Sequence, residues 1–166
     1  LHIINEYDIK YPMSITQDYN GSIWIGTASP YVYKIAPEEK VFREITAFDI
    51  STGSNFTFIP GLLAMKDGNL LVAAFNKPMQ LINTQTGAVK ELLLNKEDYK
   101  ACIKRSVIIP TALYEDMQGD IWIGTVSNGL LRYSPSNGKI QPMPGTACTD
   151  ISGIEEDTQG NLWVST

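Results

Sequence analysis

One short motif occurs three times in this chain of 166 residues. It reads DYNGSIWIGT at 18–27, DMQGDIWIGT at 116–125 and DTQGNLWVST at 157–166, so each copy joins an Asp-x-x-Gly turn to an apolar run with a central tryptophan. A fourth, degenerate copy becomes visible when the turn glycines are aligned. These glycines lie 47, 51 and 41 residues apart, at Gly21, Gly68, Gly119 and Gly160. These spacings predict a repeat architecture, in which each copy has the same role in packing.

Each motif lies within a set of four short apolar segments, A to D, separated by turn-rich links. In the first repeat the segments are YPMSITQD, SIWIGT, YVYKI and VFREI. Four strands in roughly 40 to 50 residues are typical of a β-propeller blade, and the segments lack the 3.6-residue period of helical repeats. The sequence therefore predicts an all-β fold of propeller blades, each with four antiparallel strands.

The motif itself is expected to be a device for assembling blades. Its aspartate accepts hydrogen bonds from the backbone amides of the A–B turn, and its glycine takes the left-handed conformation. The tryptophan fills the space between neighbouring blades, so that strand B is buried on both faces. Gly26 and Gly124 are expected where the adjacent sheet leaves no room for a side chain. In the degenerate copy Met65 replaces the aspartate and Leu71 the tryptophan.

This motif, with the segment NGLLRYSPSNGKI that follows the copy at 116–125 and occupies 128–140, resembles the two-component regulator propeller repeat. Residues 107–143 match that pattern almost throughout, 11–45 match well and 58–94 match poorly. The resemblance implies the extracytoplasmic sensor region of a bacterial hybrid two-component histidine kinase, anchored in a membrane and periplasmic in location. It also implies that the propeller senses a ligand, often an oligosaccharide, and relays the signal to a kinase that is not in this chain.

The repeat pattern also predicts how the chain divides into blades. The end of a preceding blade is expected at 1–10, followed by a blade at 11–46, a degenerate blade at 47–95, a blade at 96–144 and the first half of another at 145–166. We therefore expect about three full blades plus partial ones, as a segment of a larger propeller. Such a segment exposes blade faces and strand edges, which favours self-association.

Composition and charge exclude several classes of function. A net charge of −5 argues against nucleic acid as a partner, because binding to phosphates requires clustered Lys and Arg. The longest apolar runs are a few residues long, so no membrane contact by this segment is expected. The only histidine is His2, and Cys102 and Cys148 lack the spacing of metal ligands, so no catalytic group, metal or cofactor is predicted. Whether the two cysteines pair stays open.

Binding residues are expected on the face that carries the B–C and D–A loops, since these loops vary whereas the A–B turns are nearly identical. The long D–A connections run over 46–59 and 95–109, and the second has the densest basic patch, with tyrosine available to stack on a sugar. The alternative is a solvated loop with ordinary turn chemistry. The candidate ligand-binding residues are Ser29, Tyr31, Asn76, Lys77, Tyr99, Lys104, Arg105, Ser127 and Asn128.

Two other functions stay open at this point. A lyase or glycoside hydrolase on a propeller scaffold would need its site in blades outside this segment, because no clustered acids occur here. A purely structural or dimerisation module would need no ligand at all. The sequence does not separate this last function from that of a sensor.

Overall fold

The structure is a computed structural model that describes residues 9, 11–38, 42–46, 58–75, 77–92 and 108–166. Within these ranges the regular elements are β-strands, rich in the branched and aromatic residues that suit a pleated surface. They are β1 (Pro12–Gln17), β2 (Ile23–Thr27), β3 (Tyr31–Ile35), β4 (Phe42–Thr46), β5 (Gly61–Ala64), β6 (Asn69–Ala73), β7 (Met79–Asn83), β8 (Val89–Leu92), β9 (Pro110–Glu115), β10 (Ile121–Thr125), β11 (Leu130–Ser134), β12 (Lys139–Pro142), β13 (Gly153–Glu156) and β14 (Leu162–Ser165).

The strands form three four-stranded antiparallel sheets and one two-stranded sheet. Each four-stranded sheet follows chain order, as β1 to β4, β5 to β8 and β9 to β12, and the last sheet pairs β13 with β14. Consecutive strands therefore pair with one another, as expected for segments A to D of a propeller blade. The predictions of an all-β fold and of four-stranded antiparallel blades are confirmed. The exact blade boundaries stay predictions, and most of 1–10, together with 47–57 and 93–107, lies outside the described residues.

The chain divides into two units. Unit 1 comprises Leu1–Ala73 and Gln80–Lys90, and unit 2 comprises Ala74–Met79 and Glu91–Thr166. Unit 1 contains the first sheet and the strands β5 and β6, while unit 2 contains the third sheet and the hairpin of β13 and β14. In the described part of the chain, no helix is long and apolar enough to cross a membrane.

In unit 1, an isoleucine locks the second sheet onto the first. The Ile59 amide donates to the Thr27 carbonyl at 2.9 Å, and the Ser14 hydroxyl donates to the Ile59 carbonyl at 2.9 Å. The side chain of Ile59 fills the space above Gly26, where an added Cβ would lie 2.8 Å from Ile59 Cγ2. Strand β2 thus carries glycine because the neighbouring sheet occupies the position of a side chain.

Unit 2 repeats this lock with different residues. The Ile151 amide donates to the Thr125 carbonyl at 3.0 Å, and the Thr111 hydroxyl donates to the Ile151 carbonyl. An added Cβ at Gly124 would lie 2.7 Å from Ile151 Cγ2. The predicted close approach at Gly26 and Gly124 is confirmed, and the approaching residue is in both cases the isoleucine that precedes the next A strand.

Candidate functional site

The repeated motif forms a closed set of hydrogen bonds around its aspartate. In the third repeat, Asp116 Oδ1 accepts from the amides of Gln118 at 3.0 Å and Asp120 at 2.8 Å. Its other oxygen, Oδ2, accepts from the indole Nε1 of Trp122 at 2.7 Å. Gly119 completes the turn with a φ of 83°. One carboxylate therefore holds both the A–B turn and the tryptophan of strand B, and we call this arrangement the aspartate–indole cassette.

The same cassette occurs in the first repeat and in the last. The Asp18 carboxylate accepts from two backbone amides of its turn at 3.0 and 2.9 Å and from Trp24 Nε1 at 2.8 Å. The Asp157 carboxylate accepts from two amides at 2.9 Å each and from Trp163 Nε1 at 3.0 Å. The predicted bonds from the turn amides are confirmed. The indole bond was not predicted from the sequence.

A sequence signal for the indole bond exists in the degenerate repeat. There both ends of the bond change together, to Met65 and Leu71, and both side chains are buried. An unpaired indole N–H or carboxylate at this depth would be costly, whereas an apolar pair needs no partner. The turn is held instead by Asp67, whose carboxylate accepts from the amide and the side chain of Asn69 at 2.9 and 2.8 Å.

The three indoles differ in burial. Trp24 is 0% exposed and Trp122 is 8% exposed, in agreement with the expectation that they lie between sheets. Trp163 is 67% exposed, so the expectation is wrong for this copy. The cassette forms within its own hairpin whether or not another sheet covers it. Burial of the indole instead depends on whether a neighbouring sheet packs against the face of the hairpin that carries it.

Polar partners complete the packing around Trp122. The guanidinium of Arg132 lies 5.6 Å from the centre of the indole ring, in cation–π geometry, and pairs with the carboxylate of Asp120. Burial raises the pKa of Asp120, but hydrogen bonds from Ser134 and Arg132 outweigh this effect and leave the pKa lowered. Burial also raises the pKa of Tyr114, the cross-strand partner of Trp122.

The exposed cassette gives a direct test of the indole bond. Hydrogen bonds from Asn161 and Trp163 lower the pKa of Asp157 to about 2. The stability linked to this carboxylate is present above its ordinary pKa of 3.8 and is lost as the pH falls through about 2. We expect Trp163→Phe to raise the pKa of Asp157, because the variant lacks the donor, as measured from the carboxyl carbon shift by NMR.

The control for this titration is Gln159→Ala, which keeps the amide at 159 that donates to Asp157. It should leave the pKa at about 2. An unchanged pKa in Trp163→Phe would contradict the bond from the indole.

The threonine that ends the motif closes the B–C loop. The Thr125 hydroxyl donates to the Gly129 carbonyl at 2.6 Å, and the Thr27 hydroxyl donates to the Tyr31 carbonyl at 3.1 Å. Both threonines are buried, at 0% and 1% exposure, so each needs such an acceptor. The final residue of the motif therefore fixes the loop on which binding residues are expected.

In unit 2, the B–C loop joins the following D–A connection in one polar rim, formed by residues 126–129 and 143–152. Ser127, which has a φ of 63°, donates to Asp150 Oδ1 from its amide at 2.6 Å and its hydroxyl at 3.1 Å. The Leu130 amide donates to the Thr146 hydroxyl at 3.0 Å. The candidates Ser127 and Asn128 thus lie in this polar rim, whose two loops are joined by hydrogen bonds. The structure adds Asp150, an exposed carboxylate that the sequence analysis did not select.

The other candidate residues are distributed over the two units or are not described. Ser29 is half-buried in the first B–C loop of unit 1, where its hydroxyl lies 2.5 Å from that of Thr27, and Tyr31 is half-buried at the start of β3. Lys77 is half-buried in the second B–C loop. Asn76, Tyr99, Lys104 and Arg105 lie outside the described residues, as does Cys102, whereas Cys148 is exposed.

Comparison with protein families finds the same repeats. A family described as two-component regulator propeller matches residues 8–29, 105–127 and 147–166. These three stretches contain the three aspartate–indole cassettes, and the degenerate copy is not among them. No curated protein matches the sequence significantly.

Several solved structures share the fold. The extracellular domain of a protein described as a one-component system from B. thetaiotaomicron is 21% identical, with a TM-score of 0.71 over 93% of this chain and 20% of that one. Virginiamycin B lyase from Staphylococcus aureus is 20% identical, with a TM-score of 0.70 over 96% of this chain and 50% of the lyase. The β-propeller domain of Cps50 from Myceliophteria thermophila is 16% identical, with a TM-score of 0.64 over 93% of this chain and 48% of that one. The chain thus spans at most half of each, and the likeness shows the β-propeller fold.

Proposed function

Since the chain carries two-component regulator propeller repeats, we propose that it is a ligand-binding part of the sensor region of a bacterial two-component regulator. In this proposal it recognises an oligosaccharide or another small polar ligand and relays binding to a kinase outside this segment. It lies outside the cytoplasm within a membrane-anchored protein and has no catalytic role of its own. The extracellular origin of the structurally similar domain from B. thetaiotaomicron supports this location.

One observation carries the proposal: the two ends of the strands differ in what they offer a ligand. The A–B turns of the first and third repeats use Asp18 and Asp116 internally, because each carboxylate is occupied by its own turn and indole. At the opposite end, the polar rim of unit 2 presents an exposed carboxylate, Asp150, beside the hydroxyl of Ser127. Loops on a rigid scaffold are the usual place for binding groups.

The chemistry of this rim suits a ligand rich in hydroxyl groups. The carboxylate of Asp150 is an acceptor for hydroxyl donors, and Ser127 holds it in place through two hydrogen bonds. Thr149 and Thr146 lie in the same rim, with the Thr149 hydroxyl donating to the Thr146 carbonyl at 2.5 Å. We therefore place the ligand contacts of unit 2 at Ser127, Asn128 and Asp150.

A thermal-shift screen with defined hexasaccharides of glucose, mannose, xylose and galacturonic acid tests this proposal. A ligand at about 100 times its Kd should stabilise the chain by about 2.7 kcal/mol, which is visible as a raised Tm. Asp150→Asn keeps one acceptor oxygen for Ser127 but removes the charge, and should weaken binding at least tenfold. The control Asp67→Asn changes an exposed carboxylate in an A–B turn and should bind as the unmodified chain does.

Two results would count against the proposal. A chain that binds no member of the panel would lack the proposed specificity for sugars. A sugar whose affinity is equal in Asp150→Asn and in the unmodified chain would bind elsewhere, and the polar rim of unit 2 would not be its site.

A further inference from the structure

The backbone on both sides of Asp150 is bonded to the B–C loop of the third repeat. The Gly129 amide donates to the Thr149 carbonyl at 3.1 Å, and the Ile151 amide donates to the Thr125 carbonyl at 3.0 Å. Thr149 and Ile151 are the chain neighbours of Asp150, so this segment cannot leave the loop without breaking one of these bonds. Asp150 is therefore brought to the loop by its backbone as well as by its side chain.

Thr146 connects the two loops of the polar rim through both its side chain and its carbonyl. Its half-buried hydroxyl accepts from the Leu130 amide at 3.0 Å and donates to the Met143 carbonyl at 2.9 Å. Its carbonyl accepts from the amide of Thr149 at 3.2 Å and from the hydroxyl of the same residue at 2.5 Å. One residue thus joins the end of the B–C loop to the turn that leads to Asp150.

Gly129 packs directly against Thr146. An added Cβ at Gly129 would lie 2.9 Å from the Thr146 hydroxyl oxygen and 2.8 Å from its carbonyl carbon, and would overlap its carbonyl oxygen. Two of these three atoms belong to the backbone, which cannot rotate away as a side chain can. The close approach at Gly129 therefore sets the spacing of the two loops.

Only one of the two carboxylate oxygens of Asp150 is used within the rim. Oδ1 accepts from the amide of Ser127 at 2.6 Å and from its hydroxyl at 3.1 Å. In the described part of the chain, no residue donates to Oδ2, and the side chain is exposed. Ser127 has a φ of 63°, a conformation that is costly for a residue with a side chain and that its two bonds to Asp150 help to hold. Oδ2 is thus the oxygen that remains for a ligand.

We propose that Thr146 is a positioning residue of the ligand site. Its hydrogen bonds and its packing on Gly129 hold Asp150 where Oδ2 accepts a hydrogen bond from a hydroxyl group of the ligand. This role rests on the function proposed above for the polar rim. A binding group that is fixed before the ligand arrives loses little conformational freedom on binding, so the affinity depends on the residues that fix it.

Hydrogen exchange of the Ser127 amide, followed by NMR on the chain without ligand, tests the positioning alone. The reference is the amide of Ile123 in the central strand β10, because a general loss of stability would speed both exchange rates. Thr146→Val removes the hydroxyl and should raise the ratio of the Ser127 rate to the Ile123 rate by about tenfold or more. Thr146→Ser keeps the hydroxyl and should return this ratio to within about twofold of its value in the unmodified chain.

Gly129→Ala perturbs the same contact from the B–C loop. The added Cβ should displace Thr146 and raise the ratio of the Ser127 and Ile123 exchange rates by about tenfold or more. Gly138→Ala in the C–D turn is the matched control. Gly138 has a φ of 68°, close to the 72° of Gly129, but nothing lies within 4 Å of an added Cβ there. This control should leave the ratio unchanged.

Affinity for a sugar tests whether the positioning serves binding. The probe is a hexasaccharide of the panel that raises the Tm of the unmodified chain, and calorimetric titration gives its Kd. The Kd should rise by about tenfold or more in Thr146→Val and Gly129→Ala and stay unchanged in Thr146→Ser and Gly138→Ala. Asp150→Asn should also raise the Kd, but it should change the exchange ratio less than Thr146→Val does, because it keeps an oxygen for Ser127.

Two results would overturn the proposal. An exchange ratio that stays the same in Thr146→Val and Gly129→Ala would mean that Ser127 holds Asp150 without help from Thr146. A raised ratio with an unchanged Kd would mean that the ligand does not depend on where Asp150 is held. A chain that binds no sugar of the panel contradicts the proposed function and with it the role of Thr146 in binding, whereas the exchange ratio still decides whether Thr146 fixes Asp150.

Discussion

Replacing Trp122 with alanine is expected to lower the free energy of unfolding by about 3 to 5 kcal/mol, as truncation of a large aromatic in a core does. The side chain is 8% exposed and packs with Leu130, Ile151 and Ile154. Its removal leaves a cavity between two sheets and deprives Asp116 of the indole donor. Urea denaturation followed by circular dichroism measures this loss.

The chain provides its own control for this substitution. Trp163 has the same position in its cassette and the same bond to its aspartate, but it is 67% exposed. Trp163→Ala should therefore cost less than about 1 kcal/mol, because little apolar surface is returned to water. Equal losses in the two variants would show that the indole stabilises its own hairpin rather than the contact between sheets.

Replacing Asp116 with alanine is expected to cost about 3 kcal/mol. The carboxylate is 4% exposed and accepts from two amides and one indole, so its removal leaves donors unsatisfied in a buried place. Asp157→Ala removes the equivalent three bonds and a fourth from the side chain of Asn161, but water can replace them there, so it should cost less than Asp116→Ala. Thermal and urea unfolding of the two variants, measured side by side, give this difference.

The degenerate repeat suggests how the loss at Asp116 can be offset. The double variant Asp116→Met with Trp122→Leu copies the buried pair Met65 and Leu71. Its cost should be smaller than the sum of the two single costs, because the indole N–H and the carboxylate that bond to one another are removed together, so neither is left without the other. A cost equal to or above that sum would show that the aspartate and the indole act independently.

Much of the fold follows from patterns that local physics controls. The turn glycines and the bonds from turn amides to Asp18 and Asp116 each depend on a single hairpin. The tight approach at Gly26 depends on a space that only glycine leaves open. The exposure of Trp163 could not be read in this way, because the burial of a strand B side chain depends on the neighbouring sheet and not on its own motif. The isoleucine locks at Ile59 and Ile151 were missed because a single apolar residue before a strand carries no distinctive signal.

Fewer residues of the candidate site than of the fold could be predicted from the sequence. Loop length and polarity identified Ser127 and Asn128, but the role of Asp150 depends on a loop 23 residues away along the chain. Residues that are far apart in sequence come into contact only through the pairing register of the strands. The identity of a single residue does not determine that register. The indole bond of Asp116 is the opposite case, since the joint change to Met65 and Leu71 in the degenerate repeat records it.

The aspartate–indole cassette satisfies its carboxylate, two amides and its indole within seven consecutive residues. Contacts between such near neighbours close quickly, since little chain entropy is lost in forming them. A hairpin of this kind needs no later part of the polypeptide to complete its polar bonds, so it can form on a nascent chain while the rest is still being synthesised.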